Sequence, residues 1–508
     1  MSQISADQLT FTYDGSAEPV FENASFTLDT DWKLGLIGRN GKGKTTLLRL
    51  LTGALSGKGT LTKSVPAAYF PYPVSAEQMQ QPAAEFAEEL RENCEHWRVI
   101  RELSELHEDA EILYRPFDTL SLGQRTKVLL AILFSGENDF LLIDEPTNHL
   151  DAQARENVRQ YLSSKKGFIL VSHDRDLLDA CTDHILVLNR KTIMVQSGNF
   201  SCWQENQQRR DQFAEAENEK HRKQIRKLRE AARRTADWAD KSERTKIGFD
   251  PIKENDRCIS TRSFIGAKTK KMQSRVKNTE RRIEREIAEK EGLLQDIEET
   301  AVLKMSPLTH HKDTLITLRD CTVQYAGAAE PVFSGLCFSV RQGERIALHG
   351  SNGCGKSTLM RVILQKAGVL PPEDALSVSG ICETASGLRI SYVPQDTAFL
   401  RGSISEFCEA RGLDRSLFCT VLRQLDLSRA QLTKDFADYS AGQKKKVLLA
   451  ASLLTPAHLY IWDEPLNFID IFSRMQIETL LRTCRPTMLF AEHDIRFREN
   501  IAAQTVSL

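Results

Sequence analysis

GRNGKGKT (residues 38–45) and GSNGCGKS (residues 350–357) are two readings of one pattern, G-x-x-x-x-G-K-[ST], in a chain of 508 residues. Each follows an apolar stretch of strand character, KLGLI or ERIALH, and opens one of helical character, TLLRLL or TLMRVIL. That setting is what a phosphate-cradling P-loop needs. Glycines let backbone N–H groups converge on phosphate oxygens at a helix N-terminus, where the helix dipole also favours anions. The pattern therefore predicts that Gly38, Asn40, Gly41, Gly43, Lys44, Thr45 and Thr46 hold one ATP. Gly350, Asn352, Gly353, Gly355, Lys356, Ser357 and Thr358 are expected to hold another. Lys44 and Lys356 should reach the β- and γ-phosphates, and the hydroxyls of Thr45 and Ser357 should ligate Mg2+.

The duplication extends downstream in the same order. An S-x-G-Q segment recurs as Ser121, Gly123 and Gln124, and as Ser440, Gly442 and Gln443. Glu145 and Glu464 each follow the signature serine by 24 residues, at the ends of the apolar runs FLLIDEP and LYIWDEP. A second apolar run then leads into His173 or His493, 28 and 29 residues after the glutamate. Asp144 and Asp463 are placed to support the metal, Glu145 and Glu464 to orient or deprotonate the attacking water, and the two histidines to hold it or sense the γ-phosphate. Tyr13 and Tyr325 each precede the P-loop lysine by 31 residues in matching contexts; they either stack on adenine or are half-buried strand packing.

Length predicts about three domains. The 11 cysteines show no C-x-x-C pair or His companions at metal-ligand spacing, so neither a disulfide framework nor a zinc site is indicated, and a reducing cytoplasm fits best. The N-terminal stretch lacks a charged-then-apolar leader, and apolar runs of about seven residues fall far short of the roughly 20 needed for a membrane span. No membrane association is expected.

Between the repeats the pattern changes to long charged runs. Residues 206–246 and about 264–299 read as two helices joined by the loop IGFDPIKENDRCISTRS, each on the order of 55–60 Å long. Sparse apolar positions, among them Ile225, Leu228, Ile283 and Ile287, suffice for one helix–helix seam. Net charge over the whole chain is −1, yet residues 220–282 carry about 21 basic and 8 acidic side chains. So large an excess on a protruding hairpin favours a polyphosphate partner over a merely solvated face. Without sheet-borne aromatics, metal knuckle or helix-turn-helix, structured RNA read through backbone and shape is favoured over sequence-specific DNA.

These motifs resemble the ATP-binding-cassette superfamily, whose signature is matched by LSLGQ and YSAGQ. The resemblance implies an α/β fold of two tandem ABC-type P-loop ATPase cassettes, residues 1–203 and 306–508, joined by a long α-helical hairpin linker, residues 204–305. It implies cassettes facing head to tail on one chain, a monomer with intramolecular pairing. One site would join Lys44, Glu145 and His173 to Ser440 and Gly442; the other would join Lys356, Glu464 and His493 to Ser121 and Gly123. Asp151 and Asp470 fall at the family's D-loop, and Gln395 where a glutamine touches Mg2+ and the water. The first copy has Tyr72 in that place, from which different or slower hydrolysis is expected.

Tandem cassettes with a basic hairpin and no membrane segment further resemble the ABC-F proteins, which act on ribosomes. FIGAKTKKMQSRVKNTERR, IEETAVLKMSPL and the second-copy PLNFID look like the Lsa-type antibiotic-resistance branch. That implies binding to the tRNA exit site of the bacterial 70S ribosome, with the hairpin reaching toward 23S rRNA and P-site tRNA. It also implies protection from lincosamides, pleuromutilins and streptogramin A, with ATP hydrolysis driving release. Lys241, Arg244, Lys246, Lys253, Arg257 and Arg262 are the candidates for RNA backbone contacts, while Phe249, Pro251, Ile252 and Phe264 would cap the tip or touch bases. A translation factor that gates elongation without resistance, and an ATPase subunit of a membrane transporter, are the alternatives.

Overall fold

The computed structural model describes residues 2–14, 19–92, 94–137, 139–148, 150–188, 193–244, 282, 285, 303–372 and 376–508; for 231, 232 and 235–244 it describes the backbone alone. One compact unit comprises Met1–Trp203 with Thr300–Leu508, and a second is Gln204–Glu299.

The first repeat is built of β1 (Gln3–Phe11), β2 (Phe21–Asp29), β3 (Lys33–Gly38), β4 (Lys58–Lys63), β5 (Ala67–Phe70), β6 (Phe140–Asp144), β7 (Phe168–Val171), β8 (His184–Leu188) and β9 (Ile193–Ser197). Its helices are α1 (Lys44–Thr52), α2 (Ala83–Leu90), α3 (His96–Glu105), α4 (Leu122–Phe134), α5 (Ala152–Ser164) and α6 (Arg175–Cys181). An antiparallel sheet of order β2-β1-β4 faces a larger sheet of order β5-β6-β7-β3-β8-β9, parallel except at β9. Side chains alternate across the parallel strands. Leu142 and Ile169 join one core, with β1, β2 and α1; Leu141, Ile143 and Leu170 join the other, with α2, α3 and α4. Burial on both faces explains why FLLID and FILV read as unbroken apolar runs.

The second repeat follows the same plan, with β10 (Thr314–Tyr325), β11 (Phe333–Arg341), β12 (Arg345–His349), β13 (Leu376–Thr384), β14 (Ile390–Val393), β15 (Leu459–Asp463), β16 (Met488–Ala491) and β17 (Gln504–Ser507). The long helix α7 (Phe200–Arg244) precedes it, and α8 (Lys356–Lys366), α9 (Ile404–Arg411), α10 (Arg415–Gln424), α11 (Ala441–Leu454), α12 (Ile471–Cys484) and α13 (Ile495–Ile501) complete it. Sheets of order β11-β10-β13 and β14-β15-β16-β12-β17 repeat the layering, the latter wholly parallel. Leu303 and Met305 are buried in its helical-side core, so the chain is already packed against the second repeat before residue 306.

Helix α7 has 45 residues and covers residues 206–244 of the first helix expected between the repeats. Phe200 and Trp203 at its start sit in the first repeat's core. Further along, the exposed pairs Glu219–Lys223 and Arg226–Glu230 supply i,i+4 support, and Ile225 is buried. The expected second helix lies outside the described residues apart from positions 282 and 285. Lys246, Phe249, Pro251, Ile252, Lys253, Arg257, Arg262 and Phe264 also lie outside them, while Lys241 and Arg244 fall on the last turn of α7's backbone. Among the described residues no helix is long and apolar enough to cross a membrane.

Candidate active site

In both repeats an inner strand of the parallel sheet, β3 or β12, runs into the P-loop, and the strand ends carrying Asp144 and Asp463 stand two places away in the sheet. Each P-loop helix begins after a left-handed glycine, Gly43 at φ 93° and Gly355 at φ 99°. A Cβ there would lie 2.5 Å from Val20 Cγ1 or Val332 Cγ1, so both conformation and space demand glycine. Lys44 Nζ donates to Gly38 O at 2.7 Å and Asn40 Oδ1 at 3.2 Å; Lys356 Nζ donates to Gly350 O and Ser351 O, both at 2.8 Å. Each amine is thereby folded back over its loop. The hydroxyls of Tyr13 and Tyr325 bond Thr46 and Thr358 at 2.9 and 3.1 Å, tying each tyrosine to its own P-loop helix. Tyr13 remains 41% exposed, so a ring face is left for a base.

The signature segments are helix caps. Ser121 Oγ accepts from Gln124 N while Gln124 Oε1 accepts from Ser121 N, and Ser440 and Gln443 do the same at the start of α11. The S-x-G-Q spacing is thus explained locally, and it leaves a capped helix N-terminus with glycine beside it. A Cβ on Gly442 would lie 2.4 Å from Phe468 O, whereas one on Gly123 would meet nothing closer than 3.5 Å.

Around the first P-loop the two repeats come together. Asn40 Nδ2 donates to Phe468 O of the second repeat at 3.0 Å, and Arg39 lies 3.6 Å from Asp426. A cavity of about 450 Å³ opens there, lined by Asn40, Gly41, Glu145 and His173 from one repeat and Ser440, Gly442, Gln443 and Lys446 from the other. The pairing of Glu145 and His173 with Ser440 and Gly442 is therefore assembled. In the reciprocal set, Ser121 and Gln124 form the same reciprocal cap at the start of α4. Asp151 and Asp470 cap α5 and α12, and the wholly buried Asp470 also accepts from Lys446 Nζ at 2.6 Å.

Glu145 and Glu464 both adopt positive φ, 52° and 45°, a strained setting for a residue with a side chain. Their surroundings differ. His173 lies 3.3 Å from Glu145, while burial, followed by the neighbouring Asp144, pushes that carboxyl up to about 8. Glu464 Oε2 accepts from Gln395 at 2.8 Å and Asn467 at 2.6 Å, with His493 3.4 Å from the other oxygen. Burial pushes Glu464 up too, but His493, Gln395 and Lys356 outweigh it and hold the group at about 2. Tyr72 offers Glu145 no such bond. It packs on the helical-side core, its hydroxyl buried beside Arg91 and pushed up in pKa by burial.

Both strand-end aspartates are raised by burial; Ser357 bonds the Asp463 carboxylate, whose Oδ1 is buried without a hydrogen-bond partner among the described residues. Thr45 Oγ1 bonds Asp144 Oδ2 at 3.1 Å. Hydroxyl and desolvated carboxylate side by side, with Gln395 near in the second repeat, are a donor set that fits a hard divalent cation.

The family model described as "ABC transporter" matches residues 21–148 and 333–467, more than half of the chain. The chain belongs to the ABC transporter family. As a member with two such domains it binds and hydrolyses ATP. The ribosome protection protein VmlR of Bacillus subtilis is 27% identical to this ABC protein over 96% of the chain and 84% of its own length. The erythromycin resistance ATP-binding protein MsrA of Staphylococcus epidermidis is 27% identical over 92% and 90%. In fold, the archaeal ribosome recycling factor aABCE1, solved with the stalk protein aP1, matches with a TM-score of 0.57 at 18% identity, covering 98% of this chain and 87% of that one.

Several residues of the two cassettes escaped the motif reading. Lys445 Nζ donates to the carbonyls of Pro394, Gln395 and Asp463 at 2.8–3.2 Å, holding the Gln395 loop onto the strand end, and burial pushes its pKa down to about 8. Its counterpart is Thr126, so repetition gave no hint of it. Tyr69 donates to Asp144 at 3.1 Å, and Arg474 of the second cassette holds Leu466 O and Ile469 O at 2.9 Å. A basic residue four places after the D-loop aspartate, Arg155 or Arg474, was the available signal for the last.

Proposed function

We propose that this ATPase is an ABC-F protein of the Lsa-type branch, working in the cytoplasm on the bacterial 70S ribosome. Its ATP-closed form would bind at the tRNA exit site and displace or exclude antibiotics of the peptidyl-transferase centre. The observation that carries this reading is the 27% identity, across 96% of the chain, to a ribosome protection protein. The positive charge of residues 220–282 supports an RNA-facing role for the hairpin between the cassettes, which we place at residues 204–305 between domains 1–203 and 306–508. Lys241, Arg244, Lys246, Lys253, Arg257 and Arg262 are proposed for contacts with 23S rRNA and P-site tRNA.

Each ATP is read as sandwiched between one P-loop and the opposite signature. Lys44 and Lys356 hold phosphates, Tyr13 and Tyr325 stack on adenine, and Ser440, Gly442 and Gln443 or Ser121, Gly123 and Gln124 close from the other cassette. Mg2+ bound by Thr45 and Asp144, or by Ser357, Asp463 and Gln395, supplies charge neutralisation for the transferred phosphoryl group. Glu464, ionised and steered by Gln395, Asn467 and His493, accepts the water's proton. Glu145, held protonated below about pH 8 and lacking a glutamine, turns over more slowly, so the Lys44 site stays closed longer.

Drug susceptibility of a sensitive Gram-positive host expressing the chain tests this reading. Raised resistance to lincosamide, pleuromutilin and streptogramin A, lost in the Glu145→Gln/Glu464→Gln double variant, is expected. Unchanged susceptibility to all three, with the variant still co-sedimenting with ribosomes, points instead to a translation factor without a resistance role.

A further inference from the structure

Helices α6 and α13 meet where the two cassettes touch. Asp176 and Arg496 hold the same place in the repeat, three residues after His173 and His493, and they form an ion pair at 2.5 Å. A residue that touches its own equivalent lies on the pseudo-two-fold axis relating the copies, as in an isologous contact. Arg496 also pairs with Asp179. One residue earlier, Arg175 Nη2 lies 2.9 Å from Glu478 Oε2 and 3.7 Å from Asp494 Oδ1, and Arg474 Nη1 lies 3.2 Å from Asp494 Oδ2. Arg175, Glu478, Asp494 and Arg474 are all buried.

The charges at this contact have diverged in a directed way. Where the first cassette has Asp176 the second has Arg496, and where it has Arg175 the second has Ile495. Glu478, eight residues after Asp470, answers to Arg159, eight after Asp151. Pairing of first with first, between two copies of the chain, would set Asp176 against Asp176 and Arg175 against Arg159. Pairing of second with second would set Arg496 against Arg496 and remove Arg175 from Glu478. Asp179 does not discriminate, since its counterpart Glu499 is also acidic. Like charges opposed at this contact, where Asp176 and Arg496 are partly buried beside the buried Arg175, Glu478, Asp494 and Arg474, exclude the wrong partner more strongly than fully exposed charges do.

We propose that the Asp176–Arg496 and Arg175–Glu478 pairs form a partner-selecting lock, which makes the first cassette close on a second cassette and prevents like-with-like association of two chains. Charge leaves one alternative open, the exchange of first with second between two copies. The covalent link disfavours that exchange, because it gives the chain's own partner the higher effective concentration.

The test uses the full chain with ATP and no ribosome, so its outcome is independent of the role proposed above. Turnover and sedimentation velocity are measured for Asp176→Arg, Arg496→Asp and the double swap. Each single variant is expected to lose turnover by about tenfold or more and to sediment more slowly as the cassettes part. The double swap, made together with Asp179→Asn so that the reversed side chain at position 496 does not face a second carboxylate, is expected to return within about threefold of the parent, because the pair is restored with its sign reversed. A one-to-one mixture of the two single variants should form a two-chain species, in which both Asp176–Arg496 contacts are complementary again. Single variants indistinguishable from the parent would overturn the proposal. So would a double swap as impaired as the singles while its far-UV circular dichroism and melting temperature match the parent, since a merely structural loss would not be rescued by reversing the signs.

Discussion

Glu145 shares a buried corner with Asp144 and leans on one histidine ring, whereas Glu464 is bonded by Gln395 and Asn467 and faces His493. Burial and Asp144 therefore push the Glu145 carboxyl up to about 8, while His493, Gln395 and Lys356 hold Glu464 down at about 2. A raised carboxyl is neutral below its folded pKa and ionises as pH rises through it; a depressed one is ionised throughout the working range. In the Glu464→Gln variant, which leaves only the Lys44 site, turnover should rise roughly five- to tenfold from pH 7 to pH 9 as the carboxylate fraction grows. In Glu145→Gln it should be flat above pH 6. Parallel pH–rate profiles for the two variants would remove the asymmetry. The departure at Tyr72 was readable beside Gln395, because both follow a proline after an apolar strand. That its hydroxyl turns into the core and leaves Glu145 unsupported was not, since a side chain's direction depends on neighbours distant in sequence.

At the level of elements, the strands and P-loop helices were legible because their apolar runs and glycines are local signals. Lys445 was not: a lysine inside a helix looks solvent-facing until the fold brings three carbonyls to it. The signature segments show how a functional motif can also be a folding instruction, Ser and Gln three apart closing a reciprocal cap. Ser440→Ala should cost about 1 kcal/mol of stability, read as a lowered midpoint in urea with an unchanged slope. Because Gln443 N then loses its acceptor, its amide should exchange faster with deuterium than in the parent. Unaltered exchange there would mean that another group caps α11.

For the molecule as a whole, duplication could be read from matched spacing, but which faces meet could not, because neither the Asn40–Phe468 bond nor the Arg175–Glu478 pair leaves a trace in either repeat alone. The Glu145→Gln/Glu464→Gln variant should bind ATP, hydrolyse it at least about a hundredfold more slowly and stay in the ribosome pellet when ATP is present. Free release of the variant with ATP would reassign those glutamates. The oppositely charged residues at the axis have a consequence beyond the intact chain. Made as two separate polypeptides, the halves should recognise each other and refuse themselves, giving a heterodimer from a mixture and no homodimer from either alone. Recognition would then be written in the surfaces, and what the covalent connection sets is stoichiometry, one half of each kind per molecule.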